Sequence, residues 1–146
     1  MKVKQISLFL ENQPGALSRP VQLLAKAKLN ILTLSLADTQ QFGILRLVLR
    51  EWEKAKTLLE KERFVVKVSE LVVLEVQDKP GGLAEILAAL DKARVNVEYM
   101  YGFTLKEHGK GLLAFRFDDP ERAVEVLQKQ HINVVGPVDL FKRLET

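Results

Sequence analysis

A long internal repeat constrains this chain more than any other feature. Sliding the sequence against itself by 66 positions lays Pro14-Gly15-Ala16-Leu17 on Pro80-Gly81-Gly82-Leu83, Leu24 on Leu90, Lys26-Ala27 on Lys92-Ala93 and Asn30 on Asn96. The match resumes at an offset of 68, with Gly43-Ile44-Leu45 on Gly111-Leu112-Leu113, Glu53 on Glu121, Ala55 on Ala123, Leu59 on Leu127 and Val66 on Val134. Such a period exceeds the roughly 20 to 50 residues of solenoid repeats, so each copy reads as a small domain rather than one layer of a stack. The 146 residues are enough for two. No Gly/Ser-rich or Pro-rich linker separates the copies, and the expected boundary falls near Ser69, giving halves 1–69 and 70–146.

Each half reads strand, helix, strand, strand, helix, strand. Ile6, Leu8 and Leu10 alternate with Gln5, Ser7 and Phe9, and the run from Leu71 to Val76 is a more buried counterpart. Both runs end at a Pro-Gly turn. Beyond it Leu17, Val21, Leu24 and Ala27, and then Leu83, Leu87, Leu90 and Ala93, recur at helical spacing, with Pro20 tolerable only near a helix start. Hairpins follow at 31–36 with 44–49 and at 97–105 with 112–117, turning at Gly43 and at Gly109 and Gly111. Second helices are expected from Glu51 and from Pro120, the latter capped by Asp119. Val65–Val68 and Ile132–Val135 close the halves. The expectation is an α+β protein of two tandem ferredoxin-like βαββαβ units, each a four-stranded antiparallel sheet with two helices on one face.

That fold serves many functions, so composition and motifs must narrow them. Twenty-two Lys and Arg against 19 Asp and Glu leave a net charge of +3, too slight to call for nucleic acid or an anionic membrane. With no cysteine and two histidines, His108 and His131, thiolate metal sites, CxxC metal carriers and histidine-rich sites are excluded, and no metal or cofactor is expected. The stretch Lys110-Gly111-Leu112-Leu113-Ala114-Phe115-Arg116-Phe117 approaches an RNA-recognition signature but puts Leu112 and Ala114 where stacking rings belong. Phosphate loops of the Walker or GxGxxG type are missing, since Gly109-Lys110-Gly111 is a bare hairpin turn. No nucleophile stands beside a base in a recognisable catalytic loop, so no enzyme is expected. No apolar run approaches the roughly 18 residues of a membrane span, and a cytoplasmic home fits the cysteine-free chain.

The loop between first strand and first helix carries the remaining signal. Glu11-Asn12-Gln13-Pro14-Gly15-Ala16-Leu17 and Gln77-Asp78-Lys79-Pro80-Gly81-Gly82-Leu83, followed after a helix by Asn30-Ile31 and Asn96-Val97, resemble the ligand loop of the ACT domain, an amino-acid-sensing module attached to many biosynthetic enzymes. The resemblance covers both halves. It implies that an amino acid sits where two such domains pair, held by the Pro-Gly loop and, in serine-sensing members, also by the Asn opening the second strand. Those members carry a histidine two residues before the loop Asn, where this chain has Leu10 and Val76.

Physical chemistry gives the loop a role. Glycine lets a ligand approach the backbone, and N–H groups near Gly15-Ala16-Leu17 or Gly81-Gly82-Leu83 at a helix start favour a carboxylate. Asn12 or Asp78 accepts hydrogen bonds from an ammonium, with a formal charge only at Asp78. Candidate ligand residues are therefore Asn12, Pro14 to Leu17, Asn30, Ile31, Asp78, Pro80 to Leu83, Asn96 and Val97. Tyr99 and Tyr101 join them because the first half has only Thr33 and Ser35 there. Structural readings stand beside these: the Pro-Gly pairs as turn formers, Asn30 and Asn96 as left-handed helix caps, the tyrosines as packing residues, both histidines as solvated and Trp52 as core. With the chain taken up by two ACT-like halves, the expectation is an amino-acid-binding sensor without a catalytic domain. It would form a homodimer and act in trans on an enzyme or transporter. The alternative is an ACT-like module that binds no ligand and serves interaction or dimerisation through sheet edges.

Overall fold

The computed structural model describes residues 1–38 and 40–145, so the expected end of the second half at Thr146 lies outside the described residues. In chain order the elements are β1 (Val3–Glu11), α1 (Ser18–Lys26), β2 (Thr33–Asp38), β3 (Phe42–Val48), α2 (Trp52–Lys61), β4 (Val66–Gln77), α3 (Gly82–Lys92), β5 (Val97–Glu107), β6 (Lys110–Phe117), α4 (Pro120–Lys129), β7 (Val134–Val135) and α5 (Pro137–Leu144). The chain divides into two compact units, Lys4–Ser69 on one hand and Met1–Val3 with the residues from Glu70 onward on the other. The class is α+β.

In the first unit β1 and β2 both pair antiparallel with β3. The alternation of β1 decides the core: Ile6, Leu8 and Leu10 pack with Leu24 of α1, Leu45 and Leu47 of β3 and Ala55 and Leu59 of α2. Trp52 packs partly buried against the same cluster. In the second unit β4 and β5 both pair antiparallel with β6, and β7 pairs with β4. Val72, Leu74 and Val76 meet Ile86 and Leu90 of α3, Phe115 and Phe117 of β6 and Ala123 and Leu127 of α4. Each fully buried side chain of this size contributes about 1.5–3 kcal/mol.

Local chemistry sets the element ends. Helices α1 to α4 all stop with one residue in the left-handed region, at Lys28, Arg63, Arg94 and His131. The next N–H then reaches five residues back, from Leu29 to Leu24, Phe64 to Leu59, Val95 to Leu90 and Ile132 to Leu127, at 2.9 or 3.0 Å. This closure satisfies carbonyls that a helix end leaves open. Asn30 and Asn96 lie two positions beyond Lys28 and Arg94, so the left-handed capping reading of the asparagines does not hold. At the start of α4, Asp119 accepts a hydrogen bond from the Arg122 N–H at 3.1 Å, as its sequence position predicts.

The expected strands at 65–68 and 71–76 are one continuous strand, β4, which runs through the expected boundary at Ser69. Two further differences from expectation have local causes. β2 starts at Thr33 rather than Ile31, because the α1 closure runs through Leu29 and the chain only rejoins β3 where the Leu32 N–H meets the Val48 carbonyl at 2.9 Å. α5 follows the last expected strand and has no counterpart in the repeat; Pro137 sits in its first turn and Leu140 is fully buried. Among the described residues no helix is long and apolar enough to cross a membrane.

Candidate ligand-binding site

The two Pro-Gly loops share one backbone. Gly15 and Gly81 have φ of +85° and +88°, a conformation natural to glycine. The Asn12 and Asp78 N–H groups donate to the hairpin carbonyls of Gln41 and Gly109 at 3.0 and 2.9 Å. The Ala16 and Gly82 N–H groups turn inward to the carbonyls of Gln13 and Lys79 at 3.2 and 3.0 Å. Those two donors are therefore used within the turn, and the Arg19 and Glu85 N–H groups donate to the Gly15 and Gly81 carbonyls at 3.2 and 3.0 Å.

The surroundings of the loops differ. In the second half Asp78, Lys79 and Pro80 border a cleft of about 500 Å³, within the usual size of small-molecule sites. Its apolar lining comes from Val76, Leu83, Phe103, Leu112 and Leu113, with Gln77 and Gly111 beside the loop. In the first half the concavity that Gly15 borders runs along the outer face of α1, past Ser18, Arg19 and Gln22. Asn12 and Pro14 do not line it, and the Asn12 side chain donates to the Gln40 carbonyl at 3.2 Å.

The helix starts differ too. Gly82 is buried, and a Cβ there would stand 2.1 Å from the Gln77 carbonyl oxygen, so α3 begins tight against the end of β4. The matching residue in the first half is Ala16, and α1 begins later, at Ser18. Leu17, the counterpart of Leu83, is 38% exposed.

Strand direction separates the other candidates. β1 and β2 run the same way, so Asn12 follows one end of the first unit while Asn30 and Ile31 precede the other. In the second unit Gln77 pairs with Lys110 and Val97 with Phe117, about 24 Å apart along β6 at roughly 3.4 Å per residue. Within one half, no single amino acid touches both the Pro-Gly loop and the strand-opening Asn. Asn96 is held by Asp118, whose carboxylate accepts the Asn96 N–H at 3.0 Å. Tyr99 and Tyr101 lie opposite Arg116 and Ala114 and do not line the cleft.

The cleft instead takes Phe103, Leu112 and Leu113, which the sequence reading did not single out. One signal was available: Tyr99, Tyr101 and Phe103 form an aromatic series of period two, and its third member reaches the cleft.

A charged cluster stands behind the loop. Glu75, on β4, accepts from Arg143 of α5 at 2.7 Å and from Lys110 at 3.3 Å, while Arg143 also meets Asp139 at 2.9 Å. Burial pushes the Glu75 carboxyl up, but hydrogen bonds from Arg143, Lys110 and Asn133 outweigh it and hold it below the usual carboxylate range. The charges neutralise one another, so the cluster ties α5 to the sheet. Among the described residues no group of three or more His, Asp or Glu stands where it could hold a metal ion.

Comparison with known proteins fits this geometry. The family model of the ACT domain pair matches residues 1–144. The crystal structure of protein BT0572 from Bacteroides thetaiotaomicron aligns at 32% identity over 97% of each chain, with a TM-score of 0.89. The ligand-free regulatory subunit of aspartate kinase from Thermus thermophilus aligns at 15% identity over 88% of this chain and 93% of that one, with a TM-score of 0.64. The corresponding subunit from Thermus flavus gives 16%, 90%, 92% and 0.63. At that identity the two subunits share the fold. No curated protein matches the chain.

Proposed function

The chain belongs to the ACT domain pair family, and on that premise we propose that it is an amino-acid-binding regulatory protein whose working site is the second-half cleft. Each half is read as a ferredoxin-like unit of four strands and two helices, with α5 added to the second. The observation that carries the reading is the cleft bordered by Asp78, Lys79 and Pro80. There a carboxylate faces the first turn of α3, and an ammonium faces Asp78 across the same loop. The protein catalyses no reaction itself. It works in the cytoplasm and reports the bound amino acid to a separate enzyme or transporter, which requires that the ligand prefer one of two states of the protein.

Thermal unfolding against each of the twenty amino acids at millimolar concentration tests this. A ligand at 100 times its Kd adds about 2.7 kcal/mol of stability. A selective upward shift with one or a few amino acids is expected, and no shift with any contradicts the reading.

A second role has its own observation. β2 ends the strand order and carries Leu34 and Leu36, 47% and 50% exposed. Such an edge suits pairing with a second copy, giving the homodimer expected of the family. Sedimentation at several concentrations, with and without ligand, separates constitutive assembly from ligand-driven assembly.

A further inference from the structure

We infer that the second-half cleft selects amino acids with apolar side chains of about the size of leucine or phenylalanine; the inference rests on the reading of that cleft as an amino-acid site. Its polar side chains are confined to one place. Gln77, Asp78 and Lys79 stand in sequence where β4 runs into the loop that meets the ligand's α-ammonium and α-carboxylate. Away from the loop the side chains are Val76, Leu83, Phe103, Leu112 and Leu113, none with a hydrogen-bonding group. Val76, Phe103 and Leu112 are 6%, 9% and 4% exposed, and Leu83 and Leu113 are half-buried. A hydroxyl, carboxylate or ammonium side chain laid against these apolar side chains gives up water and gains no side-chain partner from them, whereas an apolar one removes further apolar surface from water.

The first half lacks one part of this lining. At the repeat offset of 66, Phe103 falls on Ala37 of the first half. The aromatic ring closing the cleft is present in one half alone.

Calorimetric titration of the full chain with leucine, phenylalanine, alanine, serine, aspartate and lysine reads the preference directly. Leucine or phenylalanine should bind tightest and alanine about tenfold or more weakly, with serine, aspartate and lysine weaker still. Asp78→Asn, on the exposed rim, should weaken every ligand, and Leu83→Gln should narrow the gap between leucine and serine. Should Leu83→Gln fail to fold, the ranking on the unaltered chain decides. Tighter binding of serine, aspartate or lysine that Asp78→Asn still weakens overturns the side-chain class and leaves the amino-acid reading intact. Apolar ligands that bind indifferently to Asp78→Asn overturn the assignment to this cleft, and no binding by any of the six overturns both.

Discussion

The two Pro-Gly loops have the same hydrogen bonds and the same left-handed glycine, yet one stands beside a cleft lined by strand residues and the other beside a concavity along the outer face of α1. Backbone conformation is set locally and survives in both halves, whereas a binding cavity depends on side chains brought in from other elements. Phe103 against Ala37, Gly82 against Ala16 and Leu83 against the exposed Leu17 account for the difference. Glu75 and Phe9 occupy matching strand positions as well. One is tied to α5 through Arg143, while the other is 60% exposed.

The largest expected effect separates the halves at the helix start. Gly82→Ala puts a Cβ 2.1 Å from the Gln77 carbonyl oxygen, backbone that has no rotamer to yield. We expect a loss of about 3 kcal/mol in denaturant unfolding, the upper end of ordinary overpacking. Ala16→Gly, the reverse change in the first half, should cost about 1 kcal/mol or less. Equal losses would break the comparison.

Next comes the ionic tie of the second half. Glu75→Gln should cost about 2 kcal/mol, as for lost hydrogen bonds between charged groups, while Phe9→Gln, at an exposed site, should cost little. Because the folded state lowers the Glu75 pKa, its contribution is complete above the ordinary value of 4.5 and fades as pH falls through the folded value. Acid unfolding of the unaltered chain should thus be steeper below about pH 4.5 than that of Glu75→Gln; parallel curves would contradict the tie.

A matched pair follows. Gly15→Ala and Gly81→Ala should each cost about 1–2 kcal/mol, the penalty for left-handed backbone, since a Cβ meets nothing within 4 Å at either position. Unequal costs would show that the two turns are not the same structure. The smallest test contrasts the second helices. Asp119→Ala should remove about 1 kcal/mol of capping, and Glu51→Ala should remove less, because Glu51 makes no side-chain cap bond.

What could be read in the sequence follows the same division between local and assembled. The repeat, the Pro-Gly turns, the hairpins and the Asp119 cap lie in short stretches, where residue type and spacing carry the conformation. The left-handed residues Lys28, Arg63, Arg94 and His131 were not legible, because helix closure rather than side-chain type selects them. α5 escaped notice because it lies outside the repeat. The cleft was half legible: its rim is the sequence motif, but Phe103, Leu112 and Leu113 reach it only through the pairing of β4, β5 and β6. That same pairing carries Asn96 and Val97 to the far end of β6 from the Pro-Gly loop.

Backbone amide NMR of the full chain during titration with leucine tests the central claim most directly, because it reads both loops in one experiment. Shifts concentrated at Asp78 to Ala84, at Phe103 and at Gly111 to Leu113, with Asn12 to Leu17 unmoved, are the predicted result. Shifts centred on the first-half loop, or on Asn96 to Tyr101, would contradict it.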